Sequence, residues 1–295
     1  MKNLIYRSLG IYLNTLTRIA PKKGGEVGFR LFCKPQKTKM KAHHKAFLKT
    51  ARQEVLDFNG TPIKIYLWGK GSKKVLFVHG WQSHSYRWKK YVNSLSESDF
   101  TLIAFDAPGH GKSGGDQFTV PLNAFLISQL AKKYGGFDTV VAHSIGSISV
   151  LYALNYYNIT NIGKVISMAS PSRAEEFFAF YIQALRLKEP TVAQIKNEFQ
   201  RQIRHELEDI SLSTYARKIN VEGLIIHDKR DPETPFENAL ELLDSWGNAT
   251  LFETQGLGHN LRSIVVVNLV KDFILGKPLD ETRYPNLTKK ELMLQ

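Results

Sequence analysis

From Val75 onward, short apolar runs alternate with helical patterns. That alternation restricts the chain to a largely parallel sheet covered by helices on both faces. The strand candidates are Val75–His79, Thr101–Asp106, Thr139–His143, Lys164–Ala169, Gly223–His227 and Thr250–Glu253. Helical patterns fall near Tyr86–Ser96, Pro121–Tyr134, Ile145–Tyr156, Phe236–Asp244 and Arg262–Phe273. Ahead of them, residues 53–58 and 61–68 flank Asn59-Gly60, a hairpin signal, so an antiparallel start to a mixed sheet is expected. The body is expected to run over residues 51–276, with a polar tail at 277–295. One connection is far longer than the rest. Residues 173–217 read as mostly helical, aromatic at the start and charged later. An insertion at the carboxyl edge of a parallel sheet sits where ligands bind, so a lid is expected, with an extra packed helix pair as the alternative.

Charge narrows the partners. The net charge is +13, but residues 1–50 hold twelve Lys/Arg against one acidic residue, Glu26. The body is therefore nearly neutral, and a basic nucleic-acid surface is not expected. Within residues 2–20, Ile5, Leu9, Tyr12, Leu16 and Ile19 recur at spacings of four and three, one apolar helical face. Asn3, Arg7, Asn14 and Arg18 fall opposite, and Pro21 limits continuation. Arg7 and Asn14 interrupt any signal-peptide core, so no export signal is read and a cytoplasmic location is expected. Two readings of the leader stand. The apolar face packs on the body, or the basic helix and the lysines from Lys34 to Lys49 contact an anionic membrane. The single cysteine, Cys33, excludes a disulfide framework. No His, Cys and carboxylate spacing suggests a metal, and no cofactor is expected.

Residues 139–147, TVVAHSIGS, read as strand, tight turn and helix with Ser144 at the apex. Small residues two before and two after it, Ala142 and Gly146, let the turn close and push the hydroxyl outward. A serine hydroxyl is a weak nucleophile and needs an oriented base. His259 lies on a Gly-flanked loop after a strand, in QGLGHNLR. Asp231 precedes Pro232 just after another strand, in HDKRDPETP, and Asp228 is a second acid nearby. Ser144, Asp231 and His259 follow one another in the order of one serine-hydrolase architecture. An acyl-transfer intermediate also needs aimed donors for its oxyanion, and the amides of Trp81 and Ile145 are the candidates. Gln82 and His143 flank these positions and are candidate pocket residues. Phe177, Phe178 and Tyr181 suggest an apolar group in the substrate, or the lid's own core.

Taken together, HGW at 79–81, FDAPGHGKS at 105–113, AHSIG, HDKRDPETP and GLGHNLR resemble the α/β-hydrolase superfamily, from about Arg52 to Gly276. The resemblance implies Ser144 as nucleophile, His259 as base and Asp231 as its orienter, with Asp228 as the fallback acid. It implies a structural, non-catalytic turn at Asp106–Gly111. A serine at the elbow disfavours the haloalkane and epoxide activities of members that carry aspartate there. The expected function is a serine hydrolase acting on a small ester-like substrate with an apolar group. An acyltransferase, thioesterase or C–C bond hydrolase is the alternative, and a non-catalytic ligand- or membrane-binding protein is the rival of another class.

Overall fold

The computed structural model describes residues 2–159, 161–285 and 287–291. Its helices in chain order are α1 (Lys2–Ile19), α2 (Pro21–Phe32), α3 (Ala42–Leu48), α4 (Lys89–Val92), α5 (Val120–Tyr134), α6 (Ile145–Tyr156), α7 (Ala174–Leu185), α8 (Glu189–Ile203), α9 (Leu212–Ala216), α10 (Glu237–Ser245) and α11 (Ile264–Ile274). The strands are β1 (Arg52–Phe58), β2 (Thr61–Trp68), β3 (Lys73–Val78), β4 (Phe100–Phe105), β5 (Phe137–His143), β6 (Ile162–Met168), β7 (Glu222–Asp228), β8 (Ala249–Thr254) and β9 (Thr288–Glu291). The chain divides into two compact units, residues 1–34 with 173–211 and residues 35–172 with 212–295.

The larger unit is an α/β fold on one sheet, ordered β1-β2-β4-β3-β5-β6-β7-β8-β9. The strands from β4 through β3 to β8 run parallel, while β1, β2 and β9 pair antiparallel. Asn59 and Gly60 both take positive φ, 51° and 77°, the twist that a two-residue hairpin turn demands. Burial on both faces explains the unbroken apolar runs. Val75, Phe77, Leu102, Ala104, Ile166 and Ile226 point to one side, where Trp88, Tyr91, Val266 and Val270 cover them. The alternate residues Leu76, Ile103, Val140 and Val165 point the other way and are equally inaccessible to water. Strand order reverses at β3, which has β4 on one side and β5 on the other. A crevice at such a switch point, outside the carboxyl ends of the strands, is where open α/β sheets bind ligands.

Two segments are placed differently from expectation. Residues 35–50 do not travel with the leader. Phe47 and Leu48 of α3 enter the larger unit's core, and Phe47 stacks on Trp68 with ring centroids 5.2 Å apart. The tail is not merely polar either. It adds β9 to the sheet edge, and Tyr284 and Leu287 join the same core.

The smaller unit joins α1 and α2 to α7 and α8. Here α1 buries its apolar stripe only in part, with Leu9 and Leu16 half-buried. Ile5, Tyr12 and Ile19 are 60%, 53% and 78% exposed, while Gly10, Leu13 and Thr17 are buried. The reason is clearance. Gly10 lies against the backbone carbonyl of Leu185 at the end of α7, where any side chain would collide. Asn14, assigned to the solvent side by periodicity, pins the same junction. Its Oδ1 accepts from the Lys188 amide and the Thr191 hydroxyl, both at 2.9 Å, and its Nδ2 donates to the Arg186 carbonyl at 3.2 Å. Asn14→Ala removes these three bonds, two of them exposed to water, and should cost roughly 1 kcal/mol, read as a lowered urea midpoint. Phe178 and Tyr181 are engaged inside this unit. Both rings pack on Phe32 at 5.3 Å, and the Tyr181 hydroxyl donates to the Gly28 carbonyl at 3.0 Å. Phe177 is half-buried. Cys33 is buried, and burial pushes its thiol up to about 12, so it is an inert thiol.

Candidate active site

Ser144 follows β5 directly and precedes the first residue of α6. Its φ and ψ are 55° and −130°, a region L-residues avoid unless neighbouring structure enforces it. The enforcement is visible on both sides. The Ser144 amide donates to the Met168 carbonyl at the end of β6, at 2.8 Å. The Ser147 amide returns to the Ser144 carbonyl at 2.8 Å. A Cβ on Gly146 would sit 2.8 Å from the His79 carbonyl oxygen, so a small residue is required where α6 crosses β3. Position 142 tolerates alanine, whose methyl is fully buried.

The acid and the base come from two loops at the same sheet edge. Asp231 follows β7, and its carboxylate accepts the Nδ1 proton of His259 at 2.8 Å. Burial alone would raise the Asp231 carboxyl. Hydrogen bonds from His259, the Glu233 amide, and the Thr234 hydroxyl and amide outweigh it and bring the group down to about 2. An ionised Asp231 orients the His259 ring through its Nδ1–H, with Nε2 on the far side of the ring. The exposed Glu233 carboxylate lies 3.7 Å from that Nε2. Among the described residues, Asp228 makes no hydrogen bond to His259. Its two oxygens take the Thr254 hydroxyl and the amides of Arg230, Gly256 and Leu257, at 2.6–3.2 Å. These bonds outweigh the opposing effect of burial and set its carboxyl below the ordinary value. Asp228 therefore shapes the loop that leads to His259.

His143 ties the elbow to that loop. It is 4% exposed, and its Nε2–H donates to the His259 carbonyl at 2.8 Å. Burial, then the nearby Arg87 charge, holds its imidazole well below the ordinary range, so it stays neutral. This candidate pocket residue is thus spent inside the protein. Arg87 clamps the next residue, donating to Asn260 Oδ1 at 3.2 Å and to its carbonyl at 2.9 Å. Among the described residues, the Ser144 hydroxyl is not hydrogen-bonded to His259 or to any other protein group.

The oxyanion candidates lie on neighbouring elements, after β3 and at the start of α6. Ile145 opens a helix, so its amide has no intrahelical acceptor. The Trp81 amide likewise donates to no protein acceptor among the described residues. Gly80 passes so close to the elbow that a Cβ there would come within 2.9 Å of the Ser144 Cβ. The Trp81 ring packs edge-on against His110 and Phe118, at 5.6 and 5.7 Å. Gln82 is exposed, with φ 50°.

Two histidines that periodicity does not single out hold this loop. His79 donates from Nδ1 to the Gly80 carbonyl at 2.8 Å and accepts the Ala107 amide on Nε2 at 3.0 Å. His110 donates from Nδ1 to the Pro108 carbonyl at 2.9 Å and accepts the Gln82 amide on Nε2 at 3.0 Å. Each must be neutral to accept. Burial is the main cause that lowers them, to about 4 for His79 and about 3 for His110. Both folded values lie below the unfolded one near 6.5. Their stabilisation is therefore complete above about pH 6.5 and is lost as pH falls toward 4 and then 3. Urea midpoints should drop steeply between about pH 6.5 and 4, and His110→Gln should flatten that drop while lowering stability at neutral pH. Asp106, in the same turn, accepts from the Ser85 amide and hydroxyl, the Lys112 amide and the Tyr66 hydroxyl, a structural knot.

Among the described residues, no group of His, Cys, Asp or Glu is arranged to hold a metal ion. None of their helices is long and apolar enough to cross a membrane.

Comparison with known proteins agrees with this layout. Residues 75–206 match the profile of the alpha/beta hydrolase family, and residues 203–282 match that of TAP-like proteins. A Drosophila melanogaster protein named "Probable serine hydrolase" is 29% identical over 109 residues, 34% of this chain and 32% of that protein. The matched region thus spans about a third of that relative. Among solved structures, a membrane phospholipase A superimposes with TM-score 0.61 at 14% identity, covering 79% of this chain and 88% of the other. An esterase from Exiguobacterium antarcticum gives 0.59 at 18% identity, covering 76% and 100%. With the strand order, the elbow after β5 and two adjoining family profiles in agreement, the chain belongs to the α/β-hydrolase superfamily.

Proposed function

We propose that this chain is a serine hydrolase that cleaves a carboxylic ester, or a related acyl bond, through an acyl-enzyme intermediate. The observation that carries the reading is the 2.8 Å pairing of Asp231 with His259 beside a strained serine elbow. In this scheme Ser144 Oγ attacks the carbonyl carbon as its proton passes to His259 Nε2. Asp231 stabilises the imidazolium, and the Trp81 and Ile145 amides receive the oxyanion. His259 then protonates the departing alkoxide. A water that loses its proton to the same nitrogen attacks the acyl-enzyme and releases the acid. The Ser144–His259 hydrogen bond forms with substrate in place, since such bonds often tighten only in the complex. The phospholipase, esterase and serine-hydrolase names of the relatives support the acyl chemistry.

A lid role for residues 173–217 belongs to the same proposal. Its ring for an apolar acyl group is Phe177, because Phe178 and Tyr181 are engaged with Phe32. The basic leader helices α1 and α2 would hold the chain at an anionic membrane, where apolar esters concentrate. The test is a fluorophosphonate probe, followed by p-nitrophenyl esters of rising chain length. Labelling at Ser144 with ester turnover is expected, and Phe177→Ala should shift the preferred chain length. No labelling would leave a binding protein on this fold. Labelling without ester turnover would favour the acyltransferase, thioesterase or C–C hydrolase alternative.

A further inference from the structure

The smaller unit exposes an apolar surface that its own packing leaves uncovered. Leu4, Ile5, Ile11, Tyr12 and Ile19 of α1 are 53–78% exposed. At 100° per residue they occupy an arc of roughly 120°, from Ile11 round to Ile5. Only Ser8 and Thr15 lie between them, and no charged residue falls in the arc. Arg18 and Arg7, both exposed, border the Ile11 edge, and the exposed Lys22 follows at the start of α2. Residues 1–25 hold five basic side chains and no acidic one.

We propose that this face of α1 is a docking surface for an anionic phospholipid bilayer. The helix would lie in the interface plane, its five apolar side chains among the acyl chains and its flanking cations against lipid phosphates. Charge complementarity selects this occupant. A second copy would pair the apolar face with itself and would offer no anionic group to the flanking Arg7, Arg18 and Lys22. A bilayer instead takes up the apolar arc and the cations at once. The orientation of α1 makes the surface possible. Because Gly10, Leu13 and Asn14 face α7 and α8, Ile5, Tyr12 and Ile19 are turned outward together with Leu4 and Ile11, and this face can enter lipid while the helix stays folded in its unit. The inference rests on the membrane part of the proposed function and is independent of its chemistry.

The test uses the full chain and sedimentation with sonicated vesicles of phosphatidylcholine, with and without phosphatidylglycerol. The wild-type chain is expected to pellet with the mixed vesicles at low salt and to be released largely by about 0.5 M salt, where charge attraction is screened. Ile5→Ser, Ile11→Ser and Ile19→Ser combined should weaken binding at least about tenfold with an unchanged circular-dichroism melt, because these side chains are outside the packed interface. Arg7→Gln with Arg18→Gln should weaken it and reduce the salt dependence. Equal pelleting of the triple-serine variant would overturn the face assigned here while sparing membrane contact through other leader residues. Wild-type chain that stays in the supernatant would overturn both. A wild-type dimer on gel filtration that the triple-serine variant converts to monomer would assign the face to a second copy.

Discussion

Ser144→Ala is expected to abolish fluorophosphonate labelling and to lower kcat on a short p-nitrophenyl ester by roughly five orders of magnitude. Its melting temperature should barely move. The hydroxyl takes part in no hydrogen bond among the described residues, and the elbow is held by backbone bonds to Met168 and Ser147 that alanine keeps. His259→Ala should cost about as much, and the double variant about as much as either single one, because the residues act as a unit. Steady-state kinetics with a thermal melt on each variant reads both quantities. Losses that add across the double variant, or residual turnover near the wild-type rate, would show that Ser144 is not the nucleophile.

Asp231→Asn and Asp228→Asn should separate a chemical role from a structural one. Asp231→Asn removes the charge that stabilises the imidazolium and lets an NH₂ face Nδ1, which selects the wrong His259 tautomer, and kcat should fall by about 10⁴-fold. Asp228→Asn turns an NH₂ toward two of four donors, from Thr254, Arg230, Gly256 and Leu257. That should cost roughly 2–4 kcal/mol of stability, since buried donors are left unmatched. Activity below the melt should fall far less than in Asp231→Asn. The opposite pattern, with Asp228→Asn the more damaging to kcat and the melt unchanged, would move the acid role to Asp228.

The strands from β3 to β8 are legible from residue order because a strand buried on both faces must be apolar along its whole length. Helix-length polar patterns cannot be mistaken for such runs. The elbow at Ala142–Gly146 is equally legible, because its requirement is local: small residues must flank a sharp turn. The edges of the fold are harder to read. β9 is lysine-rich, and nothing in its sequence says that β8 still lacks a partner on that side. The loop-holding roles of His79, His110 and Arg87 depend on backbone groups 28 to 173 residues away along the chain, and no spacing rule reaches them.

By itself, the sequence determined the mixed parallel sheet, the strand ends from which Ser144, Asp231 and His259 project, and the concentration of charge in the leader. These are matters of residue type within a few positions of one another. Tertiary structure decided which of two nearby carboxylates meets His259, because Asp228 is claimed by amides of the next loop while Asp231 is not. It also decided which side of α1 is covered. Periodicity locates an apolar stripe, but the partner helices admit only the side with a glycine at the crossing. Close approach of backbones, rather than hydrophobicity, chose the buried face and left Ile5, Tyr12 and Ile19 in water.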